Sequence, residues 1–276
     1  MGRRVAAGTL LLAGAAPALA HGSLPGSDSA LPVWLAQGVF ALAWLAYLRG
    51  AQRSAPPVQR QLGFHFTLLL AGLSLFGPFD GWAAGSTAWH MVQHMLVMVV
   101  VAPLLVLARP LPQWRAAIGP AADRLWRSLI GLSRRPMLCA LLHAAAIWFW
   151  HAPAPYLAAL QHTGLHVLEH ACFLFSGWLF WWSVLRPGRH RVLSAAMALL
   201  FTATHTGMLG ALLTFARAPL YAAESSGLAD QQLAGLVMWI PGGMVYLLAA
   251  AWAGYRWLGA LERRSLSAAR RAPQGG

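Results

Sequence analysis

Nine of the eleven histidines in this chain lie on apolar segments or at their rims, where an imidazole is expensive to keep. The tightest groups are His90 with His94 and His162 with His166 and His170, joined by single residues at His151 and His205. Two histidines spaced i, i+4 share one helix face, the arrangement by which one helix gives two ligands to one ion. The chemistry to expect is metal binding. The run from His162 to His170 covers ~12 Å at 1.5 Å per residue, too far for one ion, so His166 and His170 are the expected pair and His162 a residue of the lip.

Softer donors stand nearby. Met91, Met95 and Met98 lie on the same segment as the first pair and Met208 lies three residues after His205. Thioether with imidazole suits copper(I), whereas imidazole alone also suits zinc or haem iron. Two carboxylates are placed to ligate a metal or orient a histidine: Glu169, beside His170, and Asp80, ahead of the first pair. Cys139 and Cys172 have no C-x-x-C spacing, so no thiolate transfer motif is available and histidine must carry the binding.

Composition sets these residues in a membrane. At 58% hydrophobic and 10% charged, the chain is too poor in charge for a soluble globule, which carries about a quarter. Its net charge of +13 comes from arginines gathered in short loops between apolar runs, a pattern of membrane topology and not of nucleic-acid binding. Residues 1–20 read as a signal peptide, with Arg3 and Arg4 leading an apolar stretch that ends in Ala18-Leu19-Ala20. Cleavage there would expose His21, whose amine and ring could share one metal ion. Residues 21–31 then form a short extracytoplasmic segment.

Seven apolar segments follow at 32–48, 62–79, 88–107, 136–151, 164–185, 192–215 and 232–258, each read as a crossing of a ~30 Å bilayer. An all-α bundle of seven transmembrane helices over 32–258 is expected, with a basic tail at 259–276. Arginines crowd the loops after the first, third and fifth spans and the tail, while the opposite loops hold Arg217 alone. The N-terminus therefore faces out and the C-terminus faces the cytoplasm. On that map His90, His94, His151, His166, His170 and His205 approach one outer level, with His143 deeper. His65 and His190 read as packing or interfacial residues. Pro103 and Pro241 should kink the helices that carry them.

At these residues the chain resembles the CtaG-type cytochrome c oxidase assembly factors. The shared pieces are Pro78-Phe79-Asp80, Trp89-His90-Met91-Val92-Gln93-His94-Met95 running into Ala102-Pro103, and Trp150-His151-Ala152-Pro153 with Tyr156. They continue with Leu165-His166-Val167-Leu168-Glu169-His170 and Thr204-His205-Thr206-Gly207-Met208. The resemblance spans roughly 62–258. It implies a non-catalytic role in maturing a haem-copper oxidase of the caa3 or aa3 type in the bacterial plasma (inner) membrane, aiding copper insertion at the CuA centre. It also suggests His90, His94, His166, His170 and His205 as the functional set. Subunit II of the oxidase or a copper chaperone would be the partner, docking on outer loops that carry Trp82, Trp89, Pro153, Pro155 and Tyr156.

Three other readings share these residues. Histidines facing each other across a bundle could ligate b-type haem for electron transfer. Three histidines and a carboxylate could form an intramembrane zinc hydrolase. A copper permease would place ligands at several depths, for which His143 below His151 is the sign.

Overall fold

The computed structural model describes residues 30–120, 123–186, 188, 191–221 and 227–269; the expected signal peptide, His21 and His190 lie outside them. The described chain is all-helical. Helices α1 (Leu31–Arg53) and α2 (Val58–Phe76) form an antiparallel pair, and the short α3 (Pro78–Ala83) turns the chain into α4 (Thr87–Met95). That helix continues without interruption through a π-helical turn (Leu96–Val101) into α5 (Ala102–Ala108). Two short helices, α6 (Leu111–Ile118) and α7 (Asp123–Ser133), fill the arginine-rich connection that follows. Then come α8 (Pro136–His151), α9 (Pro153–Gln161), α10 (Thr163–Leu185) and α11 (Val192–Thr214). The last unit is α12 (Gly227–Val237), a second π turn (Met238–Gly242) and α13 (Gly243–Ala269).

Five of these helical stretches are long and apolar enough to cross a membrane: Leu31–Arg53, Val58–Ala83, Thr87–Ala108, Val192–Thr214 and Gly227–Gly259. The count rises to six if α8 and α9, bent by 70° at their junction, form one broken span. This is a multi-pass membrane protein. The fifth expected span corresponds to α10, which has 23 residues and hence ~35 Å of length. Its histidines, Glu169 and tryptophans dilute its apolar character, and it tolerates them because its neighbours enclose it: His166, Glu169, His170, Phe173 and Trp181 are all buried. The outer helix α1 does the opposite. Leu35, Val39, Leu42 and Leu45 are exposed, a face for lipid.

At both prolines expected to kink a helix, the structure has a π turn, directly ahead of Pro103 and around Pro241. Proline has no N–H and its ring collides with the carbonyl four residues back, so the ladder ahead of Pro103 slips to a longer register. The Ala102 N–H donates to Val97 O, five residues back. In that register residue 103 would donate to Met98 O, which a proline cannot do. Trp181 of α10 replaces the missing donor, its indole Nε1–H lying 2.8 Å from Met98 O. Pro241 sits inside the second π turn. Close approach of α11 and α12 depends on small residues, since a Cβ added at Gly235 would lie 2.6 Å from Gly210 O.

Candidate metal centre

Three helix pieces bring the histidines together. The N-terminus of α4 carries His90 and His94, and its position is set by a cap from far along the chain. Ser86 accepts from the Trp89 N–H at 3.2 Å and donates to Asp230 Oδ1 at 2.8 Å. Asp230 of α12 also accepts from the Ala88 N–H at 3.1 Å. A carboxylate at this end satisfies an amide that the helix itself leaves unbonded and complements the helix dipole. Behind α4, Gln93 donates to Ser74 O at 2.8 Å and to Asp80 Oδ1 at 3.2 Å, so Asp80 braces the helix one residue before His94.

From α10 come His166 and His170, one turn apart, with ring centroids 4.3 Å apart; Glu169 lies between them in sequence. From the end of α8 comes His151. Its Nδ1 is 2.8 Å from Ile147 O. A carbonyl only accepts, so Nδ1 carries the proton and Nε2 keeps its lone pair. The chain bends there, and Tyr221 holds the bend by donating to His151 O at 2.9 Å while stacking on Tyr156 at 3.8 Å.

The five rings form one packed group. His90 lies 4.3 Å from His94 and 5.5 Å from His166 between centroids, and His94 lies 5.2 Å from His170 and 5.7 Å from His151. Two sets of ligand atoms lie within 4.8 Å of one another: His90 with His166 and His170, and His90 with His94 and Glu169. His90 belongs to both. Glu169 approaches His90 Nε2 at 3.8 Å and His94 Nε2 at 3.7 Å. Those separations are too long for hydrogen bonds. They lie near the ~3.4 Å expected between two ligands on one tetrahedral ion with bonds of about 2.0–2.1 Å.

Satisfaction of the polar atoms points the same way. Both ring nitrogens of His94, both carboxylate oxygens of Glu169 and Nε2 of His151 are buried and make no hydrogen bond to any described residue. Buried polar groups ordinarily find partners, and a buried carboxylate is costly unless a cation accompanies it. A metal ion would supply both needs.

The other expected residues are placed differently. His162 is exposed at the N-terminal edge of α10. Met91 and Met95 are buried, the Met95 sulfur packing onto Gly242, while Met208 is 53% exposed. His205 is buried, its ring 5.0 Å from Phe201, and it is not packed among the five. Of the docking residues, Trp82 and Trp89 are exposed and pack at 5.0 Å, but Tyr156 is buried, its ring 5.5 Å from His90. Tyr156 is thus a wall of the centre, not an outer surface. Sequence reading missed Asp230, Tyr221 and the bracing Gln93. Their only local sign was a polar side chain within or beside an apolar run.

Comparison with curated proteins and comparison with solved structures each return no match. A family model does match, over residues 38–260, and this stretch contains every ring of the cluster and each brace named above. The chain belongs to the cytochrome c oxidase caa3 assembly factor family.

Proposed function

We propose that the cluster is a transit site for copper(I), held as cargo on the outer face of the bacterial plasma membrane and passed to the CuA centre of oxidase subunit II, directly or through a copper chaperone. The carrying observation is the convergence of five histidines and Glu169 from three helix pieces, with the donor atoms of two overlapping sets, His90 with His166 and His170 and His90 with His94 and Glu169, within 4.8 Å. His90, His94, His166 and His170 would be the holding ligands, and His151 offers a bare Nε2 at the edge for ligand exchange. Among the described residues Glu169 is the one carboxylate within ligand distance of the rings. It balances one positive charge, so a monovalent ion would leave the buried site neutral and spare it the cost of a net charge in low dielectric. The lack of a thiolate favours release over storage, since imidazole and thioether hold copper(I) less firmly than sulfur anions do.

This role asks for no catalysis. It fits seven spans with the N-terminus outside, α10 being the span whose histidines and Glu169 neighbouring helices hide from lipid. It also fits removal of residues 1–20, which would leave His21 on the same face as the cluster. The mutual contacts of the rings leave no slot for a porphyrin between opposing histidines, which disfavours haem. Zinc is the second reading, favoured by the same carboxylate.

The test is to purify the protein in detergent and measure copper, zinc and iron per chain, for wild type and for His94→Ala/His170→Ala. Copper present in wild type and lost in the variant, with cells carrying the variant failing to fill CuA, is the expected result. Zinc at one per chain, or a variant that matures oxidase normally, would overturn it.

A further inference from the structure

The far end of α10 carries a second constellation. Trp178, Trp182 and Arg186 follow one another at i, i+4 and i+8, on one face and about 24 Å along the helix from the His166 level. The two indoles lie 5.1 Å apart. With Arg60 from the first turn of α2 and Arg109 just after α5, they line a half-open cavity of about 320 Å³. Three guanidinium groups therefore meet on an apolar wall, and among the described residues no carboxylate lines it.

This convergence is built. Arg186 donates through Nη2 to Val106 O at 2.7 Å, closing the last turn of α5 and fixing its guanidinium at the rim. Arg109 has φ of 55° and ψ of 54°, a left-handed conformation that L side chains rarely adopt, and it turns the chain sharply at the cavity edge. Burial, and then the charges of Arg109 and Arg60, push the pKa of Arg186 down to about 10. Among the described residues none of the three arginines has a carboxylate within ion-pair distance. Like charges gathered without an acid are stabilised by an anion from outside.

The level of the cavity says which anion. Arg60 begins one apolar span, Arg109 ends another and Arg186 ends α10, so the guanidinium groups sit where lipid phosphates lie, with indole and leucine surface leading toward the hydrocarbon. We propose that this cavity is a binding site for the phosphate headgroup of an anionic phospholipid, the three arginines taking the phosphate and Trp178 and Trp182 taking the glycerol and upper acyl chain. Guanidinium suits the role because its planar fork bonds two phosphate oxygens at once. Basic pockets between helices on the arginine-rich side of a membrane protein are where such headgroups are held.

The test uses the full chain in detergent, with native mass spectrometry during titration of phosphatidylglycerol or phosphatidylcholine. One phosphatidylglycerol should be retained, at least tenfold more tightly than phosphatidylcholine. Arg60→Gln/Arg109→Gln should lower that affinity at least tenfold; both side chains are exposed, so helix content and thermal midpoint should hold. A Trp182→Ala variant, which keeps all three charges, should weaken phosphatidylglycerol while leaving any binding of inorganic phosphate unchanged. Equal retention of the two lipids, or no loss in the arginine variant, would overturn the proposal. So would displacement of the lipid by millimolar inorganic phosphate, which would make free phosphate the ligand. Metal content of these variants should equal wild type, which keeps this test separate from that of the copper site.

Discussion

Histidines outside the cluster and histidines inside it differ in what surrounds them. His65 accepts from the Trp44 indole at 3.0 Å, and His143 has Nδ1 2.9 Å from Ser176 Oγ with its ring stacked on Phe180. Each has a side-chain partner on one ring nitrogen. The cluster of His90, His94, His151, His166 and His170 instead sets rings against rings, with Glu169 at distances no hydrogen bond spans. Burial does not separate them, since His143 is as buried as the cluster. Convergence of donors around a shared point is what separates a site from packing.

The strongest way to break that distinction is His90→Ala, because His90 belongs to both ligand sets. Metal affinity should fall by about 100-fold or more, beyond the 10–100-fold typical of losing an outer brace, as read by competition with a chromophoric chelator. An unchanged affinity would mean that the rings merely pack. Glu169→Gln comes next. It keeps the shape and removes the charge, so affinity should drop about 10-fold, with a larger loss for divalent zinc than for copper(I). A gain in affinity would show that the carboxylate repels the bound form.

Asp230→Ala tests the cap. Loss of its bonds to Ser86 and Ala88 should cost about 1–2 kcal/mol of stability, seen as a lower midpoint in thermal unfolding, with metal affinity reduced because His90 sits in the first turns of the capped helix. The smallest effect belongs to the comparison group. His65→Phe and His143→Phe should change metal content less than about twofold, although His143→Phe strands the Ser176 hydroxyl and should cost about 1–3 kcal/mol of stability. If either empties the metal site, satisfied histidines are functional too and the distinction fails.

The Arg186 end of α10 extends the contrast to charge. There the guanidinium caps a helix by bonding Val106 O, so structural use and anion binding are combined in one residue. Positive charge in the loops could be read as topology directly from the string of residues. Its gathering of Arg60, Arg109 and Arg186, separated by dozens of residues, could not.

Much of the site was legible because helix geometry is local. The period of 3.6 residues makes His90 and His94 neighbours, and likewise His166 and His170, whatever else the chain does. Glu169 entered on the same ground, three residues from His166. The apolar runs and the arginine spacing fixed a helical membrane protein without reference to any contact. Folding alone decided that His151 joins the pairs while His205 packs with Phe201, that Tyr156 is a wall, and that Asp230 holds α4 at Ala88 from 142 residues away. The reason is physical. Rotation and approach of one helix on another depend on small residues such as Gly235, on π turns imposed by prolines and on bonds like Trp181 to Met98 O, and none of these leaves a periodic mark in the sequence.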